Sequence, residues 1–316
     1  MAMDDKCNVT IVGAGKVGMT AAYALLLAGF CHKITLFGRH KEKLVGEKLD
    51  LEHAMALSAQ TQIAISDDYN DLTDTDVFVF CAGAAQNPGD TRLDLAEKNL
   101  AIVDSMVPGL MKAAPEAVLL MVANPCDLMT YRARVLVPEA RPGQIFGSGT
   151  LLDTARFRLH LSEVLPVNAR SIHAYVLGEH GDHSFPVISS ATIGGQKLTS
   201  FPGFSSEMAA QAYQLARDAA YAIINSKGAT YYGIGASITK IVKTVWQDTR
   251  TILPVSVTLE NVGSVPAMNS SMPCVVGRAG VLQQVWPDMD EHEQQLLADG
   301  VVALNQVYTE VMAKKQ

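Results

Sequence analysis

The hexapeptide Gly13-Ala14-Gly15-Lys16-Val17-Gly18 constrains this chain more than any other feature. It follows the short apolar run Val9–Val12 and opens a helical pattern over Lys16–Ala28. Three glycines in GxGxxG spacing mean little in isolation. Between a strand and a helix they have a mechanical reading. The first permits a tight turn, the second lets a pyrophosphate approach the backbone, and the third allows close helix–strand packing. Free N–H groups at the helix start then meet the phosphate charge. Gly13, Gly15, Lys16, Val17 and Gly18 are therefore candidate dinucleotide-binding residues. A glycine-rich turn with no ligand is the competing reading.

The rhythm that follows supports a parallel sheet. Strand candidates Ile34–Phe37, Ile63–Ile65, Val77–Cys81 and Val118–Val122 alternate with helix candidates Lys41–Leu57 and Leu93–Lys112. Strand, helix, strand at this spacing marks βαβ units. From about Gly149 the pattern changes. A helix over Leu151–Leu165 precedes apolar runs at His173–Leu177 and Val187–Ile193. Long helical patterns follow at Ser205–Ser226 and Thr230–Trp246, then a strand pair near Thr251–Leu259 and Met272–Gly277. A last helix spans Asp290–Ala313, where Leu296, Leu297, Val301, Leu304, Val307, Tyr308 and Val311 recur at helical spacing and form one apolar face. The expected class is α/β: a doubly wound Rossmann domain over residues 1–147 and an α+β substrate domain over residues 148–316. The helix near 230–248 is expected to pack on the first domain.

Composition narrows the partners. The net charge of −7 provides no basic footprint for nucleic acid or acidic lipid. No run reaches the roughly 18 apolar residues of a membrane span. The acidic start, MAMDDKCNVTIVGAG, lacks a basic region and a cleavable apolar segment. The five cysteines are scattered, odd in number and form no CxxC pair, so neither a zinc site nor a redox pair is expected. Buried free thiols suit a reducing cytoplasm.

The second strand should end in an acidic residue that holds the adenosine ribose. Instead the chain reads Ile34-Thr35-Leu36-Phe37-Gly38-Arg39-His40-Lys41. Gly38 stands where the carboxylate is expected, and Arg39 and His40 follow. Losing the acid and adding cations would accommodate a 2′-phosphate. The expected cofactor is NAD or NADP, with NADP use indicated by Gly38 and Arg39. A solvated basic turn on an NAD-binding protein is the alternative.

A second short stretch is dense in titratable groups. GEHGDHSFP, Gly178–Pro186, holds His180, Asp182 and His183. Histidine is the side chain best suited to exchanging protons near neutral pH. Asp153 and Arg156, three apart in Leu152-Asp153-Thr154-Ala155-Arg156, share a helix face. A carboxylate can orient an imidazole and stabilise its cation. An arginine can grip a substrate carboxylate through two parallel hydrogen bonds. An ordinary surface ion pair would have the same spacing.

These stretches, with AGAAQNPGDTRLDL, ANPCDL, SGTLLDTARFR and GATYYGIG, give the chain its resemblance to the L-lactate and L-malate dehydrogenases, from the GAGKVG loop to the final helix. The resemblance implies hydride transfer between nicotinamide C4 and the C2 carbon of a 2-oxo or 2-hydroxy acid. It implies that His180 exchanges the proton, Asp153 fixes its tautomer, and Arg156 binds the substrate carboxylate. Arg92, in the loop NPGDTR, would close over the substrate and polarise its carbonyl. Asn124 would lie by the reacting oxygen and the cofactor, and Ile234 would pack against the nicotinamide.

Substrate choice in that family turns on the position of Gln86. The malate enzymes resemble one another in carrying arginine there, which pairs with a second carboxylate. A neutral amide cannot compensate a second buried charge. Thr230 is also the lactate-type residue. Pyruvate and L-lactate are therefore the expected pair. Bulkier apolar 2-oxo acids such as 2-oxoisocaproate rank second, because Ala85 leaves room, and malate third. A nucleotide-binding protein without catalysis would be expected to have lost at least one of Arg92, Asp153, Arg156 and His180, and all four are present.

Arg158 and His173 match positions that bind fructose 1,6-bisphosphate at a subunit interface in allosteric bacterial lactate dehydrogenases. Arg158 lies about 200° around the helix from Arg156, so the two cannot share a ligand. A basic interface patch is the competing reading. The resemblance further implies a homo-oligomer, a tetramer built as a dimer of dimers without a long N-terminal arm.

Overall fold

The computed structural model describes residues 6–84, 92–260, 262 and 266–314. In chain order the first part runs β1 (Asn8–Val12), α1 (Lys16–Ala28), β2 (Lys33–Phe37), α2 (Lys41–Met55), β3 (Gln62–Ser66), β4 (Val77–Phe80), α3 (Arg92–Ala113), β5 (Val118–Met121), α4 (Cys126–Leu136) and β6 (Ile145–Gly147). These strands are parallel and lie in the order β3-β2-β1-β4-β5-β6. That order places the strand reversal between β1 and β4, the point at which open α/β sheets bind their ligands. Helices cover the sheet, so strands such as β4 and β5 are buried throughout.

The second part runs α5 (Leu151–Val164), β7 (Ile172–Gly178), β8 (Ser184–Ile193), β9 (Gln196–Lys197), α6 (Ser206–Lys227), α7 (Tyr232–Trp246), β10 (Thr251–Leu259), β11 (Met268–Gly277), β12 (Gly280–Gln284) and α8 (Glu291–Lys314). Its strands pair antiparallel. The two halves join edge to edge where Gly147 of β6 pairs with Ser256 of β10. A Cβ on Gly147 would sit 2.5 Å from Thr130 Oγ1 and 2.7 Å from Cys126 Sγ, so the seam closes only around glycine.

Helix α7 belongs to the second part by sequence but packs on α1. A Cβ on Gly235 would lie 2.8 Å from Thr20 Cγ2, which brings the two helices into backbone-close contact. At the same helix, Gly233 abuts Leu152, the neighbour of Asp153. One element therefore touches both the nucleotide loop's helix and the helix of the candidate acid–base pair.

Several elements escape the sequence patterns. Helix α4 has no clean apolar stripe, because Cys126, Asp127, Leu128, Met129 and Thr130 are buried in succession. Strand β6 is only three residues long. Strand β11 begins at Met268, before the expected Met272, and includes the buried polar run Asn269, Ser270 and Ser271. Strand β8 begins at Ser184, three residues before the expected Val187.

Candidate active site

The glycine loop divides its work as its spacing predicts. Gly13 has φ +100°, and a Cβ there would lie 2.7 Å from Ala82 Cα on the neighbouring strand end. A Cβ on Gly18 would come within 2.1 Å of the Gly13 carbonyl oxygen. Gly15 differs: a Cβ would meet nothing within 4 Å. Its open side is the space a pyrophosphate needs. Gly15 also caps α1 without any side-chain hydrogen bond, which leaves the helix N–H groups free for an anion. The residues present fit a dinucleotide.

Lys16 is exposed at the start of α1, with its Nζ 3.9 Å from where a Cβ on Gly228 would stand. Val17 packs on the core behind it. Gly38, Arg39 and His40 line a cavity of about 250 Å³ beside Gly13 and Gly15. Lys43 joins them, its Nζ donating to the Ala14 carbonyl at 3.1 Å. Sequence reading missed Lys43. Its place four residues after Arg39, on the first turn of α2, was the available signal. Among the described residues, no acidic one lines this cavity. Asp67 lines the adjoining one and pairs with Lys41 at 3.4 Å.

The loop GEHGDHSFP resolves its crowding by pairing locally. His183 Nδ1 lies 2.5 Å from Glu179 Oε2, and Asp182 lies 3.9 Å from Arg217. His180 alone points to α5, where its Nδ1 is 2.7 Å from Asp153 Oδ2. Arg156 Nη1 reaches the other oxygen of Asp153 at 3.4 Å. The Asp153 and Arg156 side chains are 17% and 13% exposed, so this is not a surface ion pair.

Electrostatics follow from that geometry. The Asp153 charge, aided by the hydrogen bond, raises the His180 pKa to about 9 against the opposing effect of burial. Burial pushes Asp153 up, but the His180 imidazole, their hydrogen bond and Arg156 outweigh it and hold the carboxyl below its ordinary value. The pair is an imidazolium and a carboxylate at neutral pH. Below the imidazole loop, the His180 backbone N–H donates to Asp127 Oδ2 at 2.8 Å. Asp127 lies within the quoted motif ANPCDL, where only Asn124 drew a role. An acid on the first turn after Asn124-Pro125 was the overlooked signal.

The remaining candidates are placed as follows. Asn124 ends the segment after β5, and its carbonyl accepts from Asn99 Nδ2 at 2.7 Å. Asn99 Oδ1 in turn accepts the Ala84 N–H at 2.7 Å, tying the ends of β4 and β5 together. Thr230 lies half-buried just before α7, and Ile234 lies half-buried on it against the core. Arg92 opens α3, and Gln86 lies outside the described residues. Arg158 Nε donates to the Ala174 carbonyl at 2.8 Å, with its guanidinium 5.1 Å from the Tyr175 ring centre. His173 is exposed on the same strand.

A nucleotide loop at the switch point of a 3-2-1-4-5-6 sheet, with an imidazolium–carboxylate pair and an arginine across from it, defines a nicotinamide-dependent dehydrogenase fold and site. Two family models match this chain: lactate/malate dehydrogenase, NAD binding domain, over residues 7–147, and lactate/malate dehydrogenase, alpha/beta C-terminal domain, over residues 150–315. It is 38% identical over 311 residues to an L-lactate dehydrogenase of Latilactobacillus sakei subsp. sakei (strain 23K), covering 96% of this chain and 94% of that one. It is 40% identical over 299 residues to an L-lactate dehydrogenase of Synechococcus sp. (strain JA-3-3Ab), covering 94% and 97%. Among solved structures, a lactate dehydrogenase from a Medee basin deep-sea metagenome library superposes with a TM-score of 0.92 at 33% identity, covering 98% of this chain and 99% of that one. The minor L-lactate dehydrogenase of Enterococcus mundtii, in a ligand-bound form, superposes with a TM-score of 0.91 at 32% identity, with the same coverage. The chain belongs to the lactate/malate dehydrogenase family.

Proposed function

We propose that this chain interconverts pyruvate and L-lactate with a nicotinamide cofactor. The observation that carries the reading is the 2.7 Å contact between His180 Nδ1 and Asp153 Oδ2, with Arg156 beside it. A bound reduced nicotinamide would supply the hydride chemistry, delivered to C2 of the oxo acid. His180 donates the accompanying proton from Nε2 to the carbonyl oxygen, and in the reverse direction takes it back. Asp153 occupies Nδ1, so the exchangeable proton is left on the outward nitrogen. Arg156 holds the substrate carboxylate and thereby presents the carbonyl to His180. Arg92 would close over the substrate and polarise its carbonyl. Asn124 orients the reacting oxygen and the cofactor, and Ile234 keeps the nicotinamide face dry. Gln86, a neutral amide, would leave a second substrate carboxylate uncompensated, and Thr230 would restrict the space beside C3.

His180→Ala tests this directly. Pyruvate reduction should fall by about 10²–10⁴-fold, the usual worth of a positioned general acid, while reduced cofactor still binds by fluorescence. Near-normal turnover would remove the proton-transfer role.

For the cofactor, the family supports a nicotinamide dinucleotide, and Gly38, Arg39, His40 and Lys43 around an acid-free cavity support use of NADPH. Arg39→Ala should lower kcat/KM for NADPH more than for NADH. Equal losses would return the basic turn to a solvated surface.

Arg158, stacked by Tyr175 and bonded to the Ala174 carbonyl, with His173 exposed on the same strand, supports an anion site for fructose 1,6-bisphosphate at a subunit contact. The homo-oligomer, a tetramer in this reading, is supported by an apolar groove where Tyr23, Leu27, Leu57 and Tyr232 are exposed on α1, α7 and the end of α2. The five free cysteines, four of them buried, suit the cytoplasm.

A further inference from the structure

We propose that Asp127 is a second positioning carboxylate for His180: it fixes the backbone of the proton-transfer loop and places a buried negative charge beneath the imidazole. The proposal rests on His180 being the proton-transfer residue.

The geometry comes first. Asp127 is 1% exposed, on the first turn of α4, and Oδ2 accepts the His180 N–H at 2.8 Å. His180 is thus held at two points by two carboxylates from two helices, Asp153 on the ring and Asp127 on the main chain. Helix α4 starts directly after Asn124-Pro125, so the same short segment positions Asn124 and the His180 loop. A shift of α4 would move both together.

The choice of a carboxylate needs its own reason. An amide oxygen would accept the same N–H at far smaller desolvation cost. The Ser256 hydroxyl on β10 hydrogen-bonds the Asp127 side chain and favours its ionised form. A buried acid whose hydrogen bonds come from a backbone N–H and a hydroxyl, donors an amide oxygen would serve as well, is poorly explained by packing. It is explained by its charge. The α4 N-terminus partly offsets the cost of keeping that charge.

The groups facing the two residues are few. Asp127 faces His180 and Glu179 from the loop after β7, and Ser256 from β10. His180 faces Asp153 and Arg156 from α5, and Asp127 from α4. Burial raises the Asp127 pKa to about 6, with Ser256 and the His180 N–H pulling it down and Glu179 pushing it up. Asp127 is therefore mostly ionised at pH 7 and becomes neutral as the pH falls through 6. Its charge adds to that of Asp153 in raising the His180 pKa.

The test uses the full-length protein and two substitutions. Asp127→Asn keeps an acceptor for the His180 N–H and removes the charge. Asp127→Ala removes both. The asparagine variant should bind NADH normally and keep its plateau kcat for pyruvate within about three-fold. The alkaline limb of its kcat/KM profile should move to lower pH by on the order of 0.5. The alanine variant should lose about ten-fold or more in kcat/KM, because a buried N–H is left unpaired. An unmoved alkaline limb in Asp127→Asn would overturn the charge role, and equal losses in both variants would overturn the backbone-fixing role. Wild-type protein gives an independent reading that needs neither folded variants nor turnover. The His180 imidazole, followed by nitrogen-15 NMR, should show a second inflection near pH 6 besides its own. Absence of that inflection overturns the proposal. Its presence in a protein inactive on pyruvate would leave the coupling intact and remove the substrate assignment instead.

Discussion

His180 carries its proton at neutral pH because Asp153 sits 2.7 Å from Nδ1 in a half-buried site. In the proposed reaction, reduction needs the protonated ring and oxidation the neutral ring. Pyruvate reduction should therefore decline as pH rises through about 9, while lactate oxidation climbs over the same range. A profile with both limbs centred near 6.5 would mean Asp153 does not govern the ring. Stability follows the same sign. The folded pKa is raised above the unfolded value, so the stabilisation from His180 is complete below pH 6.5 and is lost as pH rises through about 9. Asp153→Asn should move the rate profile to lower pH and reduce kcat more than it raises KM, measured by steady-state kinetics across pH. Much of this site was legible in the sequence because histidine, aspartate and arginine each have a distinct chemical use. Asp127 was only partly legible: its place on the first turn after Asn124-Pro125 marks it, but its contact with a backbone N–H 53 positions away does not show in the sequence.

At the scale of elements, the contrast between Gly15 and Gly18 is the sharpest handle. Gly15 has φ −88°, which any residue adopts, and open space where a Cβ would go. Gly15→Ala should fold with an unchanged melting temperature yet bind the dinucleotide at least about ten-fold more weakly, because the methyl group occupies pyrophosphate space. Gly18→Ala should instead lower the melting temperature, because the Gly13 carbonyl at 2.1 Å cannot yield without moving the loop. Thermal melts and fluorescence titration separate the two. Equal effects on both readouts would mean the glycines are interchangeable. The β1–α1–β2 unit was readable because its glycines and its periodicities agree. Helix α4 was not, because five successive buried residues erase the stripe that marks a helix. The start of β11 was missed for the opposite reason: Asn269, Ser270 and Ser271 look like a loop but are buried.

For the whole molecule, the parallel and antiparallel halves join across the Gly147–Ser256 seam, and α7 ties them by packing on α1. Nothing in the sequence pattern announces that edge-to-edge joint, since β6 is too short to show periodicity. Helix α7 touches both α1, which the nucleotide loop opens, and α5, which carries Asp153 and Arg156. The most direct measurement is kcat/KM for pyruvate and for oxaloacetate in the same buffer, for wild type and Gln86→Arg, with NADH and NADPH in turn. Wild type should prefer pyruvate with either coenzyme, and Gln86→Arg should shift the ratio toward oxaloacetate. A wild-type preference for oxaloacetate, or no turnover of pyruvate, would contradict the assignment of this site to lactate chemistry.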